Sequence, residues 1–291
     1  MGAVCGLFGK TRQGWYKQVS SDQGKELQEA IIIGRVKELR KAMPGLGTRK
    51  LHYLLAPLLQ QHGIRIGRDK LFDIMADSGM LIRKRKRRRT TNANHPYRCY
   101  PNLIKGMELT KSGQLWVSDI TYISLRDDFC YLSLVTDAYS RKIIGHCLYP
   151  ILKAQGPLQA LHMALEQYIG TQRLIHHSDR GVQYCCSDYI TELKSRDIAI
   201  SMTENGDPYE NAIAERINGI LKGEFGLDSY FDSFDQANEA VGRAIAIYNQ
   251  MRPHGSCDYM TPDQAHSQEG KLRRRWKPKV SAPAPQMLEY G

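Results

Sequence analysis

No apolar stretch in this chain reaches the ~18 residues that a membrane-spanning helix needs. The first 20 residues contain no continuous apolar segment of the kind that directs secretion. Disulfide and zinc chemistry are also poorly provided for. The seven cysteines, at 5, 99, 130, 147, 185, 186 and 257, are odd in number and include no CxxC pair. That argues against a disulfide framework or a zinc ribbon and for a reducing compartment, so the expected location is cytoplasmic, with no membrane partner. The adjacent Cys185 and Cys186 read as small buried side chains at a strand-to-helix junction rather than as a redox pair. Acidic residues are scarce in the first hundred positions, 7 against 21 Lys and Arg, a net +14. Residues 101–291 hold 23 against 20, a net −3. A basic front on a near-neutral back points to nucleic-acid binding at one end.

What is present divides the 291 residues into about two domains. Residues 1–90 read as helical. Leu27, Ile31, Val36 and Leu39 recur near helical spacing up to Met43, and MPGLG (43–47) breaks the pattern. Thr48 is positioned to cap a second helix through about Gln61, which Pro57 should kink. HGIRIG (62–67) is a turn, and Arg68 to Ser78 is a third helix stopped by Gly79. Two helices around a short Gly-containing turn fit a helix-turn-helix, with Arg68 and Lys70 at the start of the recognition helix. Seven cations follow without interruption, Arg83, Lys84, Arg85, Lys86, Arg87, Arg88 and Arg89. They require a polyanion or a solvated path, and phosphate binding there would be sensitive to salt. We place a helix-turn-helix region at 1–89 and a polar linker at 90–112.

Beyond the linker the periodicity changes to strands. LWVSDITYISL (115–125), FCYLSLVTDAY (129–139) and RKIIGHCLYP (141–150) read as three strands joined by tight turns. A helix (155–170), a strand (173–178), a helix (187–197), a strand (198–202), a helix (208–225) and a long helix capped by Ser233 (233–252) complete the order. The series βββαβαβα is a mixed α/β sheet with an antiparallel start, and it suits a ribonuclease-H-like core over 113–255. Residues 256–291 read as a basic tail, where Trp276 either stacks on a base or sits in flexible chain.

Three acids stand out. Asp119 lies inside an apolar strand, where an unpaired carboxylate is costly. It needs a metal ion, a salt bridge or a backbone hydrogen bond. Asp179 follows the fourth strand, and Glu215 lies on a later helix, with 35 residues between the two. At 100° per residue Glu215 lies about 200° from Ile213, so it leaves the apolar stripe of Ile213, Ile217, Ile220 and Leu221. It shares a polar face with Asn211, Asn218 and Lys222. That face looks either to solvent or into a site, with Asn218 and Lys222 near a phosphate backbone.

In order along the chain, WVSDITYI, HSDRGVQY, NAIAERINGILKGE and YNQMRPHGSCDYMTP resemble the DDE transposases of bacterial insertion sequences, the OrfB type whose core is similar to retroviral integrase. GTRKLHYLL, GMLIRKRKRRRTT and PNLIKG extend the resemblance over about residues 5–265. The 35-residue gap matches the family's D-35-E spacing. Glu210 stands where an Asp usually precedes Asn-Ala, and Arg216-Ile217-Asn218 replaces the usual Ser-Phe-Phe, departures that flank the acids. The resemblance implies that Asp119, Asp179 and Glu215 are the catalytic and metal-binding triad. Phosphodiester chemistry needs an activated oxygen nucleophile and a stabilised leaving 3′-oxygen, which two divalent ions about 3.5–4 Å apart supply. Oxygen ligands suit Mg²⁺, with Mn²⁺ as a substitute. By resemblance Asp119 bridges both ions, with Asp179 on one and Glu215 on the other.

The implied activity is metal-dependent cleavage and strand transfer at the ends of an insertion element. The implied partners are element ends, target DNA, further copies of the chain on DNA, and an upstream helix-turn-helix protein joined by a frameshift fusion. Two rivals stay open: a ribonuclease-H-type nuclease without strand transfer, and a DNA-binding repressor with an inactive core. His177 and Arg180 either contact DNA or orient the Asp179 loop, and His176 should point to the opposite face of its strand. Asp137 is expected in a turn with Ser140 and Arg141. Tyr248, Asn249, Arg252 and His254 are expected as structural support, with Arg252 or His254 as a possible DNA contact.

Overall fold

The computed structural model describes residues 11–82, 98–168, 173–204 and 211–275. Three helices open it: α1 (Arg12–Ala42), α2 (Thr48–Gln61) and α3 (Arg68–Asp77). Their apolar faces meet in a core of Ile32, Val36, Leu39, Met43, Leu51, Leu55, Leu59, Leu71, Ile74 and Met75. Gly47, not Thr48, occupies the N-cap of α2. The Thr48 hydroxyl instead donates to the Met75 sulfur at 3.6 Å. The helix continues through Pro57. Gly63 in the α2–α3 turn has φ +63°, a conformation that needs no Cβ, and the chain reverses there with Ile64 N–H donating to Leu59 O. The run Arg83–Arg89 and Glu210 lie outside the described residues, as does Trp276.

The second unit is built on one sheet. Its strands are β1 (Leu115–Leu125), β2 (Phe129–Asp137), β3 (Ile143–Tyr149), β4 (Ile175–Ser178) and β5 (Ala199–Met202), in the order β3-β2-β1-β4-β5. The first three are antiparallel and β1-β4-β5 parallel, the mixed arrangement of a ribonuclease-H-like core. β6 (Tyr230–Phe231) adds to the far end of β1. One face is covered by α4 (Gln155–Leu165) and α6 (Ser187–Ser195), which bury Ala160, Leu161, Ala164, Tyr189 and Leu193. The other carries α7 (Ala212–Phe225) and α8 (Phe234–Met251), with Ile217, Ile220, Leu221, Val241 and Tyr248 in its core. Ser233 caps α8 by accepting from Gln236 N–H. A one-turn helix, α5 (Val182–Cys185), was hidden in a run read as loop. Four residues carry too little periodicity to reveal a helix.

The segment expected as a tail from 256 is tied to the core as far as Arg275. It forms a 3₁₀ turn (Gly255–Cys257) and a short helix, α9 (Pro262–His266), started by a Thr261–Gln264 capping box. Ser112 donates to His266 O, and Gly270 N–H donates to Thr110 O. Charge composition alone concealed this, because the anchoring bonds are mostly to backbone. The Tyr248–His254 motif is structural. Tyr248 donates to Arg141 O at 2.8 Å, and Asn249 brackets the Ile143 backbone with one bond in each direction. Arg252 and His254 are both buried, which removes them as direct DNA contacts. Asp137 holds the turn as expected. One of its oxygens accepts from Ser140 N–H and Oγ, and the other accepts from Gly113 N–H.

The two units meet at the C-terminal end of α7. Arg252 grips Glu224 through two bonds of 2.9 Å, and Lys50 of α2 joins the same carboxylate at 2.8 Å. Burial raises the Glu224 pKa, but Arg252 and Lys50 outweigh it and hold the group below the usual carboxylate range. Gly45 N–H donates to Glu224 O, and a Cβ on Gly45 would lie 2.0 Å from Gly223 O, so only glycine fits this approach. Arg252→Ala leaves the largely buried Glu224 carboxylate with Lys50 as its remaining cation. The change should cost about 3 kcal/mol in urea unfolding, and an unchanged midpoint would show that the pair contributes nothing.

Candidate active site

Strand register brings the first two acids together. β1 and β4 run parallel, with Val117 opposite His177. Two residues past that pair come Asp119, still within β1, and Asp179, just beyond the end of β4, and the Asp179 charge acts on Asp119. Gly181 ties down the Asp179 side chain. Its N–H donates to Asp179 Oδ1 at 3.0 Å, and a Cβ there would press on that same oxygen at 3.0 Å.

α7 supplies the third acid. Its apolar side buries Ile217, Ile220 and Leu221, and its polar side turns toward β1. Asn211 Nδ2 donates to Ser118 O at 3.0 Å, and Asn218 Nδ2 donates to Asp119 Oδ2 at 2.8 Å. The face thus divides, with Asn211 and Asn218 buried against β1. Glu215 stands in the first turn of α7 and is exposed. Lys222 is half-buried, with its ammonium 3.6 Å from the centre of the Tyr122 ring, a cation–π contact. Burial pushes Lys222 down to about 8, against the pull of Asp228 and Asp119.

Asp119 is half-buried and accepts twice, at Oδ1 from Ile120 N–H and at Oδ2 from Asn218. Loss of solvation raises its pKa to about 7, and the Asp179 charge adds to this. The bonds from Asn218 and Ile120 oppose the rise, and Glu215 contributes to it. Both other acids therefore act on the Asp119 carboxylate. Among the described residues no group of three His, Cys, Asp or Glu side chains is placed to hold a metal ion. The donor set, oxygen only and mutually repelling, is nevertheless the chemistry of a hard divalent cation.

Two of the expected DNA contacts are corrected here. His177 has no exposed surface, and its Nδ1 shares a 2.8 Å hydrogen bond with Ser201 Oγ. Asn218 is buried and spends its amide on Asp119. Neither side chain is open to a DNA strand. His176 faces differently from its neighbour, as expected, with Nε2 2.8 Å from Ser118 Oγ and 2.9 Å from Tyr189 OH. Burial drives its pKa down to about 3, so it is a neutral part of the core. Arg180 is half-buried beside Asp179. Arg68 and Lys70 are exposed on the first turn of α3, next to Asp69 and Glu29.

Two integrase core domain family models match the chain, over residues 110–208 and 196–262. An insertion element IS600 31 kDa protein from Shigella sonnei is 32% identical over 270 residues, covering 89% of this chain and 96% of that protein. The chain belongs to the transposases of bacterial insertion elements. The InsF transposase of insertion sequence IS3A from Escherichia coli is 36% identical over 152 residues, which is 52% of this chain and 53% of InsF. The transposase is also similar to the HTLV-2 integrase catalytic core domain solved with magnesium, with 18% identity, a TM-score of 0.43, and coverage of 54% of this chain and 97% of that one. A simian T-cell lymphotropic virus intasome structure matches with 17% identity and a TM-score of 0.48, over 82% and 81% of the two chains. The family is one of phosphodiester-cleaving enzymes, and the chain is a DNA transposase. No helix among the described residues is long and apolar enough to cross a membrane.

The shift at Asp119 has a thermodynamic consequence. Its folded pKa lies above the unfolded value, so between about 4 and 7 the folded state binds the extra proton, and stability falls as pH rises through that window. Asp119→Asn should therefore gain stability relative to the metal-free wild type at pH 8. The expected gain is on the order of 1–2 kcal/mol after solvent screening. It should vanish at pH 4, as measured by urea unfolding at the two pH values. An equal difference at both would contradict the assignment.

Proposed function

We propose that Asp119, Asp179 and Glu215 are the catalytic acids with which this transposase cuts one strand at an element end and joins the freed 3′-OH to another phosphodiester. One observation carries the reading: Asp119 feels both other acids while held by Asn218 and its own strand. The same three side chains would hold Mg²⁺, two ions with Mn²⁺ as a substitute, and the bound metal supplies an activated oxygen nucleophile and a stabilised leaving group.

The chain's own groups then divide the work. Asp119 is fixed in direction by Asn218 and Ile120 N–H, and Asp179 by Gly181 N–H, so neither carboxylate must be ordered when DNA arrives. Lys222 and Arg180 flank the acids as cations for the DNA backbone. The first three helices work as the helix-turn-helix region of 1–89, with Arg68 and Lys70 on the recognition helix and Arg83–Arg89 neutralising phosphates. Residues 90–112 serve as the linker and 113–255 as the catalytic core. Cleavage of paired ends calls for several copies on DNA, acting in the cytoplasm at the nucleoid, with an upstream helix-turn-helix protein as a fusion partner.

Incubating the protein with element-end DNA and Mg²⁺ or Mn²⁺ tests this. Joined products are expected, and Asp179→Asn should reduce them by at least about a hundredfold. Nicks without joining would support a nuclease instead. Binding with no metal-dependent product would end both enzyme readings. Arg68→Ala should weaken end binding and lower the slope of log affinity against log salt by about 1. An unchanged slope would take Arg68 off the DNA.

A further inference from the structure

Along one edge β1 has no strand neighbour for part of its length. β4 pairs with it as far as Val117, and β6 joins it only at Ser124. Tyr122 lies on this open stretch. Alternation along the strand puts its side chain on the face opposite that of Asp119. Its ring nevertheless meets α7, which packs on the Asp119 face. The Lys222 ammonium stands 3.6 Å from the ring centre, and Phe129 braces the ring edge-on at 5.5 Å. The contact is made over the open edge, where no neighbouring strand intervenes.

This contact repeats, one turn along α7, the bond that holds the acid. Asn218 and Lys222 share one face of α7, about 6 Å apart along the helix axis. Asn218 donates to Asp119 Oδ2 at 2.8 Å, and Lys222 sits on Tyr122, three residues further along β1. The ammonium is thus seated about one helical turn from the residue that grips the acid. No ion pair holds it among the described residues. The kind of partner matters here. A carboxylate at the same point would cancel the charge, whereas the negative face of an aromatic ring holds an ammonium and leaves its charge uncompensated. A lysine stem is long and free to rotate, so fixing it in advance removes part of the cost of using it.

We propose that Tyr122 is a positioning residue of the transposition reaction, its ring seating the Lys222 ammonium beside Asp119 so that a DNA phosphate entering the acidic site meets a cation already in place. This rests on the reading of Lys222 as a cation for the DNA backbone. Phe129 keeps the ring face turned to the ammonium.

The test uses the full chain with element-end DNA and Mn²⁺, and follows the rate of strand cleavage at saturating DNA. Tyr122→Ile suits the strand and removes the ring, while Tyr122→Phe keeps it. Each is made in the wild type and in the Lys222→Gln background. Tyr122→Ile should slow cleavage about tenfold. Tyr122→Phe should recover most of that loss, and Tyr122→Ile should cost nothing further in the Lys222→Gln background. Equal slowing in both backgrounds overturns the proposal, since the ring would then serve the fold. So does a Tyr122→Phe protein as slow as Tyr122→Ile. A Tyr122→Ile protein that urea unfolding shows to be unfolded at the outset likewise gives the ring to the fold and overturns it. A wild-type rate in Tyr122→Ile beside a slowed Lys222→Gln overturns the role of Tyr122 alone. Unslowed cleavage by Lys222→Gln overturns the reading of Lys222 and this one together.

Discussion

A carboxylate placed in the central strand of the sheet sets the terms for the rest of this molecule. Asp119 sits where solvation is poor and where two further acids repel it, so its ionised form is held only by what surrounds it. Those surroundings come from three separate parts of the chain. Asn218 reaches across from α7, Ile120 offers its N–H from the same strand, and the β1–β4 register aligns Asp179 alongside. Each arrangement in turn makes demands of its own. α7 must keep its polar side against β1, which Asn211 secures through Ser118 O, and Asp179 must keep the bond that Gly181 N–H donates to it.

The same helix does a second task at its other end. Glu224, the penultimate residue of α7, is gripped by Arg252 and Lys50, and Gly45 closes against its backbone. The first turn of α7 therefore carries a site acid while its last turn carries the seat of the N-terminal helices. A rigid helix of 14 residues spans about 21 Å. Displacement of the N-terminal unit bears directly on the element that orients Asn218 and Glu215. The N-terminal helices and the acidic cluster are thus joined through one structural member.

Much of this was legible in the amino-acid order, for identifiable reasons. β1 is rich in β-branched and aromatic residues between turn signals, and its expected span, 115–125, is the span observed. The polar stripe on α7 was visible from helical geometry, and so was the apolar stripe opposite it. What stayed hidden depended on long-range partners. His177 and Asn218 have side chains that could meet DNA, and only the fold reveals that Ser201 and Asp119 already hold them. The chain from 256 to 275 looked like a tail because its anchors are mostly backbone bonds to residues over a hundred positions away.

The central claim is that acids from β1, the end of β4 and α7 form one metal site. Anomalous diffraction from crystals of the transposase soaked with Mn²⁺ tests it most directly. The account predicts manganese density contacted by Asp119 and Asp179, with Glu215 turned inward to join them. Manganese bound elsewhere, or a site that forms without Asp119, would contradict it.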